Sequence, residues 1–305
     1  MLNSLRQTWS REAVGYRRGE LEDGDGVAAM VVTLIGGPAL VVGAMLVTVG
    51  ELSLGQVLLV APVGALLGAV LVGSSATMAA QTGANGTWLM RPAFGRGGSV
   101  VVSVLRLVMV GAWAVVGLRL ASRWIAASAG EQEMAVAEPV WLAVLTVLGM
   151  ALVLVGIVPV VKVVVRKPLF IASVLLVGVL AWQVSTGSIA GATGNAGGSF
   201  WEGVQLTVEA AVVFLPFVEA LARRLHDDEV AMSSFAVGYA VPATLMFAAG
   251  AFLAYESDNL ADLGAGAIGA AGVAVLIAWV VIAEVDQAFA GFVSAGAEAI
   301  GVLKV

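Results

Sequence analysis

The residues of this sequence most able to do chemistry are charged side chains inside or beside long apolar segments. Glu284, Asp286 and Gln287 lie near the end of the last such segment. An ionisable group inside an apolar span is a functional-site hypothesis by default, because a carboxylate there can bind a cation or relay a proton. On this interpretation Asp286, supported by its two neighbours, binds Na⁺ or carries a proton. The alternative is that the span ends earlier and leaves these acids in water.

A second group of charges surrounds Pro216. Glu209 and Glu219 lie on either side of this proline, and we interpret their spacing as placing both carboxylates on one side of a helix. Arg106 lies inside a different apolar segment, where an unpaired cation is costly. We therefore expect Arg106 to pair with Glu219 or Asp286. The pair then has either a part in the mechanism or a purely structural role.

The sequence offers little support for metal or enzyme chemistry. The one histidine, His226, precedes an Asp-Asp-Glu run, but adjacent ligands lack helical spacing, and Arg223 and Arg224 neutralise them. We interpret this run as a solvated loop. Cysteine is absent, which excludes thiolate catalysis and Cys-ligated zinc. Without a P-loop, a diphosphate motif or an intramembrane Ser–His pair, we expect no enzyme, no organic cofactor and no metal apart from Na⁺.

Composition identifies the setting in which these residues act. Of 305 residues, 60% are hydrophobic and 12% are charged, and the mean hydropathy is +1.00. A soluble fold of this size has too little interior to bury so many apolar side chains. The sequence therefore predicts an all-α polytopic protein of the cell membrane, with the lipid bilayer and a small solute as its partners. Nucleic-acid readers and secreted disulfide domains are excluded.

Eight apolar segments are long enough to cross the hydrocarbon core, which takes about 20 residues in a helix. They cover residues 27–49, 55–79, 99–120, 140–161, 168–184, 203–221, 232–254 and 264–290. We number them spans 1 to 8. Residues 1–26 are too charged for a signal peptide and are predicted to be a cytoplasmic tail, and residues 27–305 form the transmembrane domain.

The distribution of charge predicts the orientation of these spans. Twelve of the 15 basic residues fall in the tail, in the loops after spans 2, 4 and 6, and at Lys304. The opposite loops are mainly acidic and contain Glu51, Glu131 and Glu256. Because basic loops remain in the cytoplasm, both termini are predicted to be cytoplasmic. An even number of spans agrees with this orientation.

Helix-breaking residues interrupt several spans. Gly36, Gly37 and Pro38 stand together in the middle of span 1, Pro216 lies in span 6, and Pro242 lies in span 7. An ordinary kink is the alternative for a lone proline. Breaks at corresponding places in spans 1 and 6 instead indicate the binding site of a transporter built from two repeats.

The stretch from Pro38 to Leu120 resembles the nucleobase–cation symporter family of cytosine and purine permeases and hydantoin transporters. The family's motifs are a PAY-type break in helix 1, an LS-x-x-QA entry to helix 2, a TG…RxxFG…G loop and an LLR…GW start to helix 3. They correspond to Pro38, Leu52 to Gln56, Thr82-Gly83, Arg91 to Gly95 with Gly98, and Leu105-Arg106 through Gly111 to Trp113. VVKVVVRKPLF, Pro216 to Arg224 and Val285 to Ser294 match further family segments less closely.

The resemblance implies a leucine-transporter-type fold, in which two inverted repeats of five helices are followed by two more helices. Eight spans supply five plus three and lack the last helices. The chain is then either a truncated relative or one completed by another subunit, as a homo-oligomer or with a second protein.

The resemblance also implies site residues. Trp113 falls on the tryptophan of helix 3 that stacks on the flat solute; the alternative is a tryptophan of the core. The backbone at Gly36 to Pro38 contacts the solute, Leu34 and Gly37 supply carbonyls to a cation, and Asp286 joins them from helix 8. Gly117, Val208 and Gly291 stand where the family has a glutamine, a second tryptophan and an asparagine. Glu209 is a further candidate solute contact.

These observations predict a secondary active transporter of a small solute, a nucleobase or a related heterocycle, coupled to Na⁺ or H⁺ by alternating access around the breaks in helices 1 and 6. Two alternatives remain open. One is an amino-acid or polyamine transporter of the same fold. The other is a non-transporting membrane scaffold or sensor derived from a permease, which the lost polar contacts would suit.

Overall fold

The computed structural model describes residues 21–84, 86–128, 134–155, 197–225 and 227–256. Within these ranges the regular structure is helical, apart from one parallel bridge between Leu21 and Leu225. The helices are α1 (Asp23–Leu34), α2 (Gly37–Thr48), α3 (Leu54–Thr82), α4 (Gly86–Ser128), α5 (Met134–Val155), α6 (Phe200–Ala222) and α7 (Ala231–Glu256). The prediction of an all-α architecture is confirmed for this part of the chain.

The described helices confirm a polytopic membrane protein. α3, α6 and most of α4 and α7 are each long and apolar enough to cross a bilayer, and α1 with α2 makes a fifth crossing if the bent pair is one span. α5 carries a shorter apolar stretch, Ala137–Ala151. Predicted spans 5 and 8 (168–184 and 264–290) lie outside the described residues. The total of eight spans therefore stays a prediction.

Local sequence explains where α3 begins and ends. Ser53 is its N-cap: the Ser53 hydroxyl accepts a hydrogen bond from the Gln56 backbone N–H at 3.3 Å, and the Gln56 side chain accepts from the Ser53 N–H at 2.9 Å. This reciprocal capping box is the structural role of the LS-x-x-Q motif. Gly83 ends the helix at φ 67°, a left-handed conformation that favours glycine.

The segment before predicted span 3 differs from expectation, because most of the expected loop is helical. α4 begins at Gly86 and turns sharply at Gly95, where φ is 68° and ψ is −176°. The turn brings Thr87 beside Ser103, and their buried hydroxyls lie 2.7 Å apart. The charge of Arg91 and the proline at position 92 led to the prediction of a loop. The segment is instead a short helix that packs against the following span.

The predicted break in helix 6 is not found, since α6 is one helix from Phe200 to Ala222 with Pro216 inside it. α7 likewise continues through Pro242. A proline removes one backbone donor and its ring crowds the preceding turn. A long apolar helix that is packed on both sides of the proline can tolerate the lost hydrogen bond as a local bend. A lone proline is therefore a weaker signal of a break than the Gly-Gly-Pro run of span 1.

The helices form two bodies of unequal size. α1, α2, α3, α6 and α7 pack closely on one another and contain most of the buried core, whereas α4 and α5 pack mainly on each other. Small residues permit the close crossings in the larger body. A Cβ on Gly43 would collide with the backbone carbonyl of Phe247, and one on Gly250 with that of Leu40. Such glycine contacts are typical of helix packing in membranes.

Hydrogen bonds join neighbouring segments at each end of the larger body. At one end the Leu21 N–H donates to the Arg224 carbonyl at 3.1 Å. At the other end the Gly198 N–H donates to the Glu51 carbonyl at 3.3 Å, and the Tyr255 hydroxyl donates to the Leu52 carbonyl at 2.6 Å. The basic residues near the start of α4 and the end of α6 share the first end, as the charge pattern predicted. The side of the membrane to which that end belongs stays a prediction.

Candidate functional site

The predicted interruption of span 1 is present as a buried break between two helices. α1 ends at Leu34, Gly36 is the extended N-cap of α2, and the two helix axes differ by 52°. Pro38 occupies the first turn of α2, where its lack of an N–H costs no hydrogen bond. Leu34, Gly36 and Pro38 are all buried. The Gly-Gly-Pro run thus ends one helix and starts the next inside the protein.

The backbone at this break presents two kinds of polar group. The last carbonyls of α1 have no donor within α1, and the first N–H groups of α2 have no acceptor within α2. The carbonyl end of α1 carries partial negative charge, and the N–H end of α2 carries partial positive charge. The break can therefore offer oxygens to a cation and N–H donors to an acceptor or an anionic group. Leu34 and Gly37, the predicted carbonyl ligands, lie on its two sides.

Trp113 of α4 contacts an aromatic row that extends into the larger body. Its indole lies edge-on to Phe214 of α6, with ring centroids 6.3 Å apart and planes at 81°. Phe214 lies edge-on to Tyr239 of α7, at 6.1 Å. Trp113 is half-buried, and within the described structure its indole N–H has no hydrogen-bond partner. The side chain therefore retains a donor for a further group.

Two other predicted solute contacts differ in burial. Gly117 is buried one turn beyond Trp113, and Val208 is half-buried against the core. The ring on α6 that contacts the indole is Phe214, which sequence reasoning missed. One apolar residue among many in α6 gives no signal of its partner, and only the crossing of α4 and α6 identifies it.

The expectation that Glu209 and Glu219 share one side of α6 is wrong. Glu209 is exposed and accepts a hydrogen bond from Gln205 at 2.7 Å, whereas Glu219 is buried. Ten residues at about 100° each leave the two side chains roughly 80° apart around the helix. That angle is enough to turn one into the core and the other out of it.

Of the two predicted partners of Arg106, Glu219 is found in contact with it, whereas Asp286 lies outside the described residues. Arg106 Nη2 lies 2.6 Å from Glu219 Oε2, and the two residues are 6% and 1% exposed. Ser75 of α3 donates its hydroxyl to Glu219 Oε1 at 2.8 Å. One carboxylate thus binds side chains from two other helices. Ser75 had no signal in the sequence, since it is a serine in an apolar segment with no charge nearby.

The remaining predicted residues lie outside the described ranges. These are Glu284, Asp286, Gln287 and Gly291, together with His226. The coupling site assigned to Asp286 therefore stays a prediction. Where the structure is described, no group of three or more His, Cys, Asp or Glu side chains could hold a metal ion.

Comparisons with known proteins place the fold. No protein-family model and no curated sequence matches the chain. Among solved structures it is similar to Mhp1, a nucleobase-cation-symport-1 family transporter in a closed conformation with bromovinylhydantoin bound. The TM-score is 0.73 at 14% identity, over 93% of this chain and 67% of that one. At this identity the likeness shows a shared membrane-protein fold.

Proposed function

We propose that this chain is a secondary active transporter that binds a small solute at the α1–α2 break, with Trp113 of α4 as a further contact of the solute. The observation that carries the proposal is the buried break itself. Non-helical backbone at membrane depth is tolerated where protein or a water-filled cavity satisfies its polar groups. Breaks of this kind hold substrates and ions in transporters, and the fold likeness to Mhp1 supports the same use here.

The chemistry of the site favours a flat heterocycle such as a nucleobase or a hydantoin. The Trp113 indole offers an apolar face at little entropic cost, and its N–H, which has no partner among the described residues, can donate to a ring carbonyl. Gly117, Val208 and Gly291 lack the polar groups found at those places in the resembling family. Recognition would then depend more on backbone groups of Gly36 and Gly37 than on side-chain hydrogen bonds.

For coupling, we propose that the carbonyls of Leu34 and Gly37 and the carboxylate of Asp286 bind Na⁺, or that Asp286 carries a proton. Glu284 and Gln287 would adjust the charge around this acid. Either ion would favour the conformation that binds solute, which is the requirement for symport.

Uptake into proteoliposomes tests the proposal. The purified chain is reconstituted, and radiolabelled hydantoins, pyrimidines and purines are offered with an inward Na⁺ gradient, an inward proton gradient, or neither. We expect one gradient to drive accumulation above the equilibrium level, with collapse on adding the matching ionophore. A solute that binds without accumulating under any gradient would instead support the sensor or scaffold, and accumulation of an amino acid or a polyamine alone would support the other transporter class.

A further inference from the structure

The boundary between the two helix bodies is crossed by a buried polar cluster. Arg106 belongs to α4 in the smaller body, whereas Glu219 of α6 and Ser75 of α3 belong to the larger body. α4 otherwise makes few contacts with α3 and α6 compared with the contacts inside each body. The strong electrostatic interaction therefore lies where apolar packing is sparse.

Two other sets of polar contacts of α4 lie within one body. Arg119 and Arg123 contact Glu138 of α5 at 3.3 and 3.4 Å, and both arginines are mostly exposed. Thr87 and Ser103 both belong to α4 itself. These contacts move with their own body, so a displacement of one body against the other would leave them intact. The same displacement would separate Arg106 from Glu219.

We infer that Arg106, Glu219 and Ser75 form an ionic latch that holds the two bodies together at the end where α3 and α6 terminate. Separating the pair leaves a buried cation and a buried carboxylate without each other, which is costly unless water enters. The latch therefore favours the arrangement in which the two bodies are in contact at that end. It opens only when water enters the space between the separated side chains. This inference concerns the position of the two bodies and holds whatever the solute is.

Distance measurements between the bodies test the latch directly. The chain contains no cysteine, so introduced cysteines are the only attachment points for spin labels. Met78 near the end of α3 and Met150 near the end of α5 are both exposed and lie at the latch end of their bodies. Labels on M78C and M150C report the separation by double electron–electron resonance in nanodiscs. We expect one dominant distance in the parent chain and a second, longer population in E219Q.

Matched variants separate a latch from general damage. S75A removes one hydroxyl donor to Glu219 and should produce a smaller longer-distance population, whereas S103A removes a buried hydroxyl contact within α4 and should produce none. E138Q weakens an ion pair inside the smaller body and should also leave the distances unchanged. The charge swap R106E/E219R should return the distribution toward that of the parent chain.

The inference is overturned if E219Q and S75A give the parent distribution, or if S103A and E138Q shift it equally. It is also overturned if the charge swap retains the longer population, since pairing would then not be the cause. S75A keeps Arg106 and Glu219 paired, so its distance distribution tests the latch even if E219Q fails to fold.

Discussion

At the residue scale, Trp113 is a half-buried side chain at the contact between α4 and α6. Its one ring contact in the described structure is with Phe214, and its N–H donates to no described group. Trp201 of α6 offers a close comparison, because it also lies edge-on to a phenyl ring, that of Phe200 at 5.3 Å, but is 70% exposed. The two tryptophans therefore differ in burial, since Trp113 is half-buried.

Replacing Trp113 by alanine should abolish stabilisation by a bound solute. A ligand at one hundred times its Kd stabilises the folded state by about 2.7 kcal/mol, and a hundredfold loss of affinity reduces this to about 0.4 kcal/mol. Thermal unfolding with and without a hydantoin or nucleobase measures the difference. W201A should retain the full shift, and equal losses in both variants would remove Trp113 from the site.

Arg106 and Glu219 should be strongly coupled in stability. R106Q or E219Q alone removes the ion-pair partner of a buried charge and should lower the free energy of unfolding by about 3–5 kcal/mol. The double variant R106Q/E219Q should cost clearly less than the sum of the two single changes, because neither charge remains. Unfolding in mixed micelles measures the cycle. Additive costs would show that the 2.6 Å contact contributes no interaction energy.

Tyr255 gives a pH dependence at the end of α7, beyond the apolar part of that helix. Burial raises the pKa of its phenol above the ordinary value of 10.0. Above pH 10 the unfolded chain loses a proton that the folded chain keeps, so the phenol's contribution to stability falls as pH rises. Y255F removes the hydrogen bond to the Leu52 carbonyl, so its free energy of unfolding at neutral pH should be about 1 kcal/mol lower than that of the parent chain. Its stability should then fall less steeply than the parent's between pH 9 and 11, and parallel curves would contradict the assignment.

At the element scale, the sequence predicted helices whose ends carry local signals. α3 matches predicted span 2 because the Ser53–Gln56 capping box and Gly83 mark its ends. The break in span 1 was predictable because two glycines and a proline act at one point. The single Pro216 predicted a break in α6 that is not present. The short helix before Gly95 was not predicted, because its segment contains charged residues and a proline. Signals confined to a few neighbouring residues were reliable only where several agreed.

Close crossing of α2 and α7 should make Gly43 intolerant of any side chain. A Cβ there meets the carbonyl of Phe247, which is backbone and cannot rotate away. G43A should therefore destabilise the fold by about 1–3 kcal/mol, the usual cost of overpacking. G111A on α4 is the matched control, because nothing lies within 4 Å of its Cβ position. Thermal unfolding of both measures this, and equal melting temperatures would argue against the close crossing.

At the scale of the whole molecule, composition and charge were sufficient to predict a multi-span helical membrane protein with basic residues at one end. Which helices pack together was not predictable from the residues, because apolar faces are alike all round a membrane helix. The contact of Arg106 with Glu219 depended on that packing, as did the contact of Trp113 with Phe214. The resemblance of an eighty-residue stretch to one family agrees with the fold likeness over 93% of the chain.

The central claim, that the interrupted helix pair α1–α2 holds the transported solute, is tested most directly by restoring the helix. The variant G36A/G37A/P38A favours a continuous helix by about 1 kcal/mol for each glycine and about 3 kcal/mol for the proline. Gradient-driven uptake is compared at equal amounts of reconstituted parent and variant protein. We predict accumulation by the parent chain and none by the variant, with both folded. Equal initial uptake rates would show that the break is not the site and would contradict the account.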